Sequence, residues 1–308
     1  MSYGTDEAAT YLTNSYWYRD TGDLLPCVPM SATVTAATNR GFITRWDKLK
    51  ASTELQLFVR LHSDLFNVPL VLLPGVRLQI RLTKARPSFY MMNKEADSKT
   101  TFKFLYIQLL EKRVKHDPVT LNTGALAFYN MTRVELKTIA FSAGSKSLSI
   151  DNAVFGPVPK RLLFTMAKNA DFICTMYTNP YKFQHYIIDF SLFVNGKQYP
   201  IEGLSLGVDH EKTSLMGYGT LFEGSGIHHS NAGHQITHDM LVNDYFMLLF
   251  DLIPDQGASE AHTSNPEQGN IRVELKFAKS LPEAITCLLY LEFDNSVVTN
   301  LARNLTND

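Results

Sequence analysis

Two stretches of this chain read as copies of one another, and that repeat restricts the fold more than any other feature. The first copy runs Leu55-Gln56-Leu57-Phe58-Val59-Arg60-Leu61 and closes on Asp64-Leu65-Phe66. After a Pro74-Gly75 break comes Val76-Arg77-Leu78-Gln79-Ile80-Arg81-Leu82. The second copy has Tyr245-Phe246-Met247-Leu248-Leu249-Phe250-Asp251-Leu252, then a loop with Gly269, then Ile271-Arg272-Val273-Glu274-Leu275-Lys276-Phe277. In each copy a nearly continuous apolar strand precedes one with strict in/out alternation. A third strand follows, Phe102 to Leu110 in one copy and Ala284 to Phe293 in the other. Repeated three-strand units without a βα rhythm predict an all-β chain of two stacked antiparallel sandwiches.

Val76 and Ile271 stand 195 positions apart. The second unit is expected to open near Phe128. The same offset puts the start of the first unit roughly 65 residues before Met1. The first unit is therefore expected to lack its opening strands. The Asp117-Pro118 to Thr123-Gly124 stretch is the expected boundary, which gives units of 1–122 and 123–308.

Other elements follow from local pattern. A short helix is expected within 5–18, from Ala8, Ala9, Leu12 and Tyr16. Residues 19–41 read as a long loop. Strands are expected near 42–46, 53–62, 76–82, 101–114, 133–139 and 162–166, and from 244 to 253. Asn195-Gly196 between apolar runs predicts a hairpin, because both turn positions need positive φ. A helix is expected over 213–223, with Gly224 ending it.

Composition excludes several classes. Of 308 residues, 45% are hydrophobic, enough for a sizeable core. The net charge of −1 supplies no field for a nucleic acid or an anionic membrane. No apolar stretch reaches the ~18 residues of a membrane helix, and residues 1–7 do not resemble a signal peptide. Cys27, Cys174 and Cys287 are odd in number and lack metal spacing, which suits a reducing compartment. The sequons Asn130-Met131-Thr132 and Asn304-Leu305-Thr306 read as chance.

Three motifs invite chemical readings and are declined. His228, His229, His234, His238 and Asp239 crowd one loop. His234 and His238 would share a helix face, but Gln235 stands where a zinc protease needs Glu. The plain reading is a solvated loop of surface histidines. Gly203-Leu204-Ser205-Leu206-Gly207 matches G-x-S-x-G, with Asp209 and His210 nearby. It lacks the strand-to-helix elbow on a parallel sheet. Gly144-Ser145-Lys146-Ser147 lacks the leading glycine and setting of a phosphate loop. Arg77, Arg81 and Lys84, and Lys160-Arg161, are too few for a nucleic-acid surface. No catalytic, cofactor or metal residues are therefore assigned.

Several ordered blocks carry a resemblance. They are Leu57 to Phe66, Pro74 to Leu82, Asn152-Ala153-Val154-Phe155-Gly156-Pro157-Val158-Pro159-Lys160-Arg161-Leu162, Asn179-Pro180-Tyr181-Lys182-Phe183-Gln184-His185-Tyr186, and Gly269 to Phe277. Together they resemble the hexon-like major capsid proteins of Polinton (Maverick) elements and adintoviruses. The resemblance implies a tandem (double) jelly roll and a non-enzymatic capsomer subunit without cofactor. It also implies homotrimers tiling a capsid lattice beside penton-like minor capsid proteins. The place implied is the virion, and the host cytoplasm or nucleus before assembly. Two other readings of the residues stay open. One is a carbohydrate- or receptor-binding β-sandwich. The other is a cupin-like jelly roll holding a metal.

Overall fold

A computed structural model describes residues 10–18, 40–50, 52–67, 72, 78–90, 101–112, 127–173, 179–184, 186–207, 214–228, 233–243, 245–260, 267–299 and 305–307. Nine strands are described: β1 (Ala127–Phe141), β2 (Ser147–Pro157), β3 (Arg161–Lys168), β4 (Ile187–Val194), β5 (Lys197–Ser205), β6 (Met247–Asp251), β7 (Gln268–Phe277), β8 (Ile285–Thr299) and β9 (Leu305–Asn307). They build two sheets. One has the order β1-β8-β3-β6, with β9 also on β8, and the other has β2-β7-β4-β5. Every ladder between these strands is antiparallel. Successive strands alternate between the sheets until β4 and β5, which form one hairpin. This is a complete eight-stranded jelly roll, built from one stretch of chain.

Alternation explains which faces meet. In β7, Ile271, Val273, Leu275 and Phe277 are buried, while Arg272, Glu274 and Lys276 face outward. In β8, Ile285, Cys287, Leu289, Leu291 and Phe293 do the same. Between the layers Phe190 lies 5.0 Å from Phe164 and stacks on Phe250 at 5.3 Å, so one ring ties both sheets. In β4 the inward phase slips from Ile187 to Phe190 and Leu192. The register shift between Ile187 and Asp189 causes this, as an extra residue turns every later side chain over. Cys287 is fully buried, and burial pushes its thiol up to about 12. It packs as a small apolar residue. Asp251, also buried, is satisfied by the Ile253 and Ala258 amides at 3.0 and 2.9 Å.

Edges are handled in different ways. The outer edge of β6 is covered by a helix, Leu215–Ser225. The Leu249 amide donates to the Thr220 hydroxyl at 3.2 Å. Gly224 allows this approach, because a Cβ there would fall 2.6 Å from the Leu249 carbonyl oxygen. On β5, Pro200 and a register shift break up the free edge. β1, at the other end of the first sheet, pairs with β8 alone among the described strands.

Several expectations need correction. Residues 42–46 form no strand. They lie in the helix Arg40–Leu49, where Phe42 and Trp46 fall one turn apart on one face. Their aromatic and β-branched composition concealed that spacing. The predicted 213–223 helix runs Leu215–Ser225 and stops at Gly226, whose φ is +72°. The short N-terminal helix is a 3₁₀ turn, Tyr11–Ser15, in its described part. Strand β2 and the helix His238–Asn243 were not anticipated. Residues 53–62, 78–82 and 101–112 pair in no ladder among the described residues. Alternation specifies the faces of a strand but not its neighbour. The expected boundary at 117–124 and Val76-Arg77 lie outside the described residues.

Candidate functional site

Within the histidine-rich stretch His228 and Asp239 are exposed, whereas His234 and His238 are half-buried, and residues 229–232 lie outside the described residues. The helix begins at His238, so His234 precedes it and they share no helix face. Both rings instead pack against Tyr218, with centroids at 5.4 and 5.5 Å, and His234 also lies 4.4 Å from Phe222. Burial lowers the His234 pKa below the ordinary imidazole range. Tyr218 donates its hydroxyl to the Ile236 carbonyl at 3.0 Å. The residues form an aromatic wedge holding the loop to the covering helix. Among the described residues no three His, Cys, Asp or Glu side chains gather as metal ligands would.

Ser205 ends β5 in an antiparallel sheet and is exposed. A nucleophile elbow requires a strand feeding a helix on a parallel sheet, so the G-x-S-x-G match is positional only. Asp209 and His210 lie outside the described residues. Gly144, with φ of +88°, turns the chain between β1 and β2, and no helix follows it. Lys160 pairs with Asp294 at 2.8 Å, and Arg161 pairs with Glu292 at 3.1 Å. Lys84 donates to the Phe102 carbonyl at 3.0 Å. These cations are engaged within the chain.

What stands out physically is apolar surface. Phe104, Leu105, Tyr106, Ile107, Leu109 and Leu110 are all at least half exposed, with Tyr106 at 77%. Consecutive residues point to opposite sides of an extended chain, so both faces of this segment are apolar. Phe58, Val59 and Leu82 are similarly open. On β1, Val134 and Leu136 are exposed on the outward face of the sheet. Large contiguous apolar patches on a protein surface often mark interaction sites, while scattered exposed apolar residues are ordinary.

Among the described residues, contacts tie the N-terminal part to the roll at Phe89, whose ring lies 5.7 Å from Tyr181, and at Asp64. Asp64 starts the short helix Asp64–Asn67, and its Oδ2 accepts the Thr132 amide at 2.6 Å. Thr132 lies on β1, and its hydroxyl accepts from Lys160 Nζ at 3.2 Å. Asp64 lies within one of the blocks that carry the resemblance, and the strand pattern assigns it no role. Its local signal was an acidic residue opening a turn of helix.

No protein-family model matches the chain. No curated protein matches it either. Among solved structures it is similar to a chain of the Sputnik virophage, at 13% identity and a TM-score of 0.37, over 59% of this chain and 39% of that one. It is similar to the mavirus major capsid protein, at 11% and 0.36, over 62% and 43%. It is also similar to a PBCV-1 virus capsid chain, at 10% and 0.34, over 61% and 52%. The aligned region thus spans about half or less of each of these solved chains.

Proposed function

We propose that this chain is a structural subunit of a viral-type capsid, of the Polinton/adintovirus hexon-like kind, and acts without catalysis. Its body is read as tandem jelly rolls, 1–122 and 123–308. The carrying observation is the pairing of two features in one chain. A two-sheet, eight-stranded roll occupies 127–299, and the sequence before it repeats the alternating pattern on residues that expose apolar side chains and pair in no ladder among the described residues. Such surface is stable in water only when covered, and burial contributes about 25 cal/mol per Å². A capsomer covers it by packing subunits in a ring.

The partners on this reading are further copies of the chain, as homotrimers in a lattice, together with penton-like minor capsid proteins. The place of action is the virion, after synthesis in the host cytoplasm or nucleus. The near-neutral net charge lets many copies approach without strong repulsion. The test combines light scattering with electron microscopy on the parent and on a Tyr106→Glu/Leu109→Glu variant. The parent should form trimers or larger rings. The variant, with two charges in the apolar strip, should shift toward monomer. A parent that stays monomeric, or a variant that assembles equally well, argues against the reading.

A further inference from the structure

A polar cleft of about 510 Å³ opens on the outer face of the second sheet, lined by Asp151, Asn152, Phe193, Asn195, Asn270 and Arg272. It is built by two local departures from a regular sheet. In the β2–β7 ladder the register passes from Ile150↔Val273 to Val154↔Ile271. Asp151, Asn152 and Ala153 therefore oppose Arg272 alone. Asn152 sits at φ +51°, in the left-handed region. Asparagine tolerates this region better than other side-chain-bearing residues, so the bulge is accommodated by the residue that stands there.

The second departure is the β4–β5 turn. Asn195 and Gly196 have φ of +52° and +77°, as a type I′ hairpin requires. The turn is fastened to β7 in both directions. Asn195 N donates to the Asn270 carbonyl at 3.0 Å, and Asn270 N donates to Asn195 Oδ1 at 2.9 Å. Gly269 is needed beneath it, since a Cβ there would overlap the Asn195 amide. Asn195 Nδ2 donates to Glu267 Oε1 at 2.6 Å, and Asn270 Nδ2 donates to Asn152 Oδ1 at 2.6 Å.

In this arrangement the Asn152 NH₂ is left as donor and the Asn270 carbonyl oxygen as acceptor. Asp151 takes the Ser149 hydroxyl on Oδ1 at 3.1 Å and keeps its other oxygen. Arg272 lies over the Phe193 ring at 4.3 Å and pairs with Glu274 at 3.3 Å. The turn's own needs account for Asn195. They do not account for Asp151 and Asn152 being carried over the face by a bulge.

We infer that this cleft binds a neutral saccharide through adjacent hydroxyl groups. Each hydroxyl is both donor and acceptor, so a pair of them matches a carboxylate and an amide held side by side. The charges disfavour the other ligands. Asp151 and Glu274 oppose an anion, and a guanidinium beside a single lining carboxylate opposes a metal ion. The inference is independent of the capsid reading.

The test uses the full chain with D-mannose, D-galactose and N-acetyl-D-glucosamine, each added alone, with saturation transfer read by proton NMR. At least one sugar is expected to give saturable transfer with a Kd on the order of millimolar. Asp151→Asn and Asn152→Gly should each weaken it at least tenfold. The glycine variant can keep the left-handed backbone while removing the amide and its bond to Asn270. Transfer to none of the three sugars overturns the inference, as does equal transfer in parent and both variants. Binding of inorganic phosphate or N-acetylneuraminic acid in their place also overturns it.

Discussion

The carboxylate of Asp64 accepts the backbone amide of Thr132 at 2.6 Å, on the jelly roll's first strand. Sixty-eight positions of chain separate the two residues. An edge amide left bare is a template for unwanted strand pairing. Replacing Asp64 by alanine should cost about 1.5 kcal/mol, in the range of hydrogen bonds to charged groups. It should also speed hydrogen exchange at Thr132. Asparagine should restore part of both. A Thr132 amide that exchanges at the parent rate in Asp64→Ala would show that the contact does not hold the edge.

The core prediction concerns the ring that joins the sheets. Phe190 is fully buried between Phe164 and Phe250. Phe190→Ala should lower stability by about 3–5 kcal/mol, from lost transfer energy plus a cavity. Urea denaturation followed by far-ultraviolet circular dichroism measures this. A loss below about 1 kcal/mol would mean that the sheets do not meet there.

The helix that shields β6 gives a paired test on glycines. At Gly224 an added Cβ would meet the backbone of Leu249 at 2.6 Å, which cannot move aside cheaply. At Gly219, in the same helix, it would meet nothing within 4 Å. Gly224→Ala should destabilise by about 1–3 kcal/mol. Gly219→Ala should stabilise by about 0.5–1 kcal/mol through helix propensity. Thermal midpoints that move in the same direction would contradict this packing.

Much of this roll is readable in the sequence, and the unreadable parts have physical causes. In β7 the alternation of Ile271 to Phe277 is strict, because one face is core and the other is not, whereas in β8 Thr286 and Leu288 are buried between the inward residues Ile285 to Phe293. Asn195-Gly196 announced its hairpin for reasons of φ alone. Strand β2 was hidden because the bulge at 151–153 breaks its period, and Asn152, Gly156 and Pro157 imitate a loop. The binding cleft was hidden with it, since Asp151, Asn195 and Asn270 meet only after three strands have paired. Likewise, nothing in the spacing of His234 and His238 reveals Tyr218 and Phe222 as their neighbours.

Asp171 supplies a pH prediction. It is 6% exposed, and burial raises its carboxyl above the ordinary range. Lys168 and Lys182 oppose that shift and Glu283 adds to it. The folded protein thus holds this proton to higher pH than the unfolded chain does. The associated stability is fully present below the ordinary aspartate pKa and is lost as pH rises through the raised value. Asp171→Asn should therefore be more stable than the parent at pH 7, with the difference closing below about pH 4. An asparagine variant that is less stable than the parent at pH 7 would show the charged form to be favoured.

The central claim is that this chain is an assembling shell subunit, and its mass in solution tests that most directly. Multi-angle light scattering across the high micromolar range should return about three times the 34.8 kDa of one chain, or a larger assembly built on that unit. The contacts responsible should bury at least ~1,000 Å² in total. A single species of 34.8 kDa across that whole range would contradict the capsomer account.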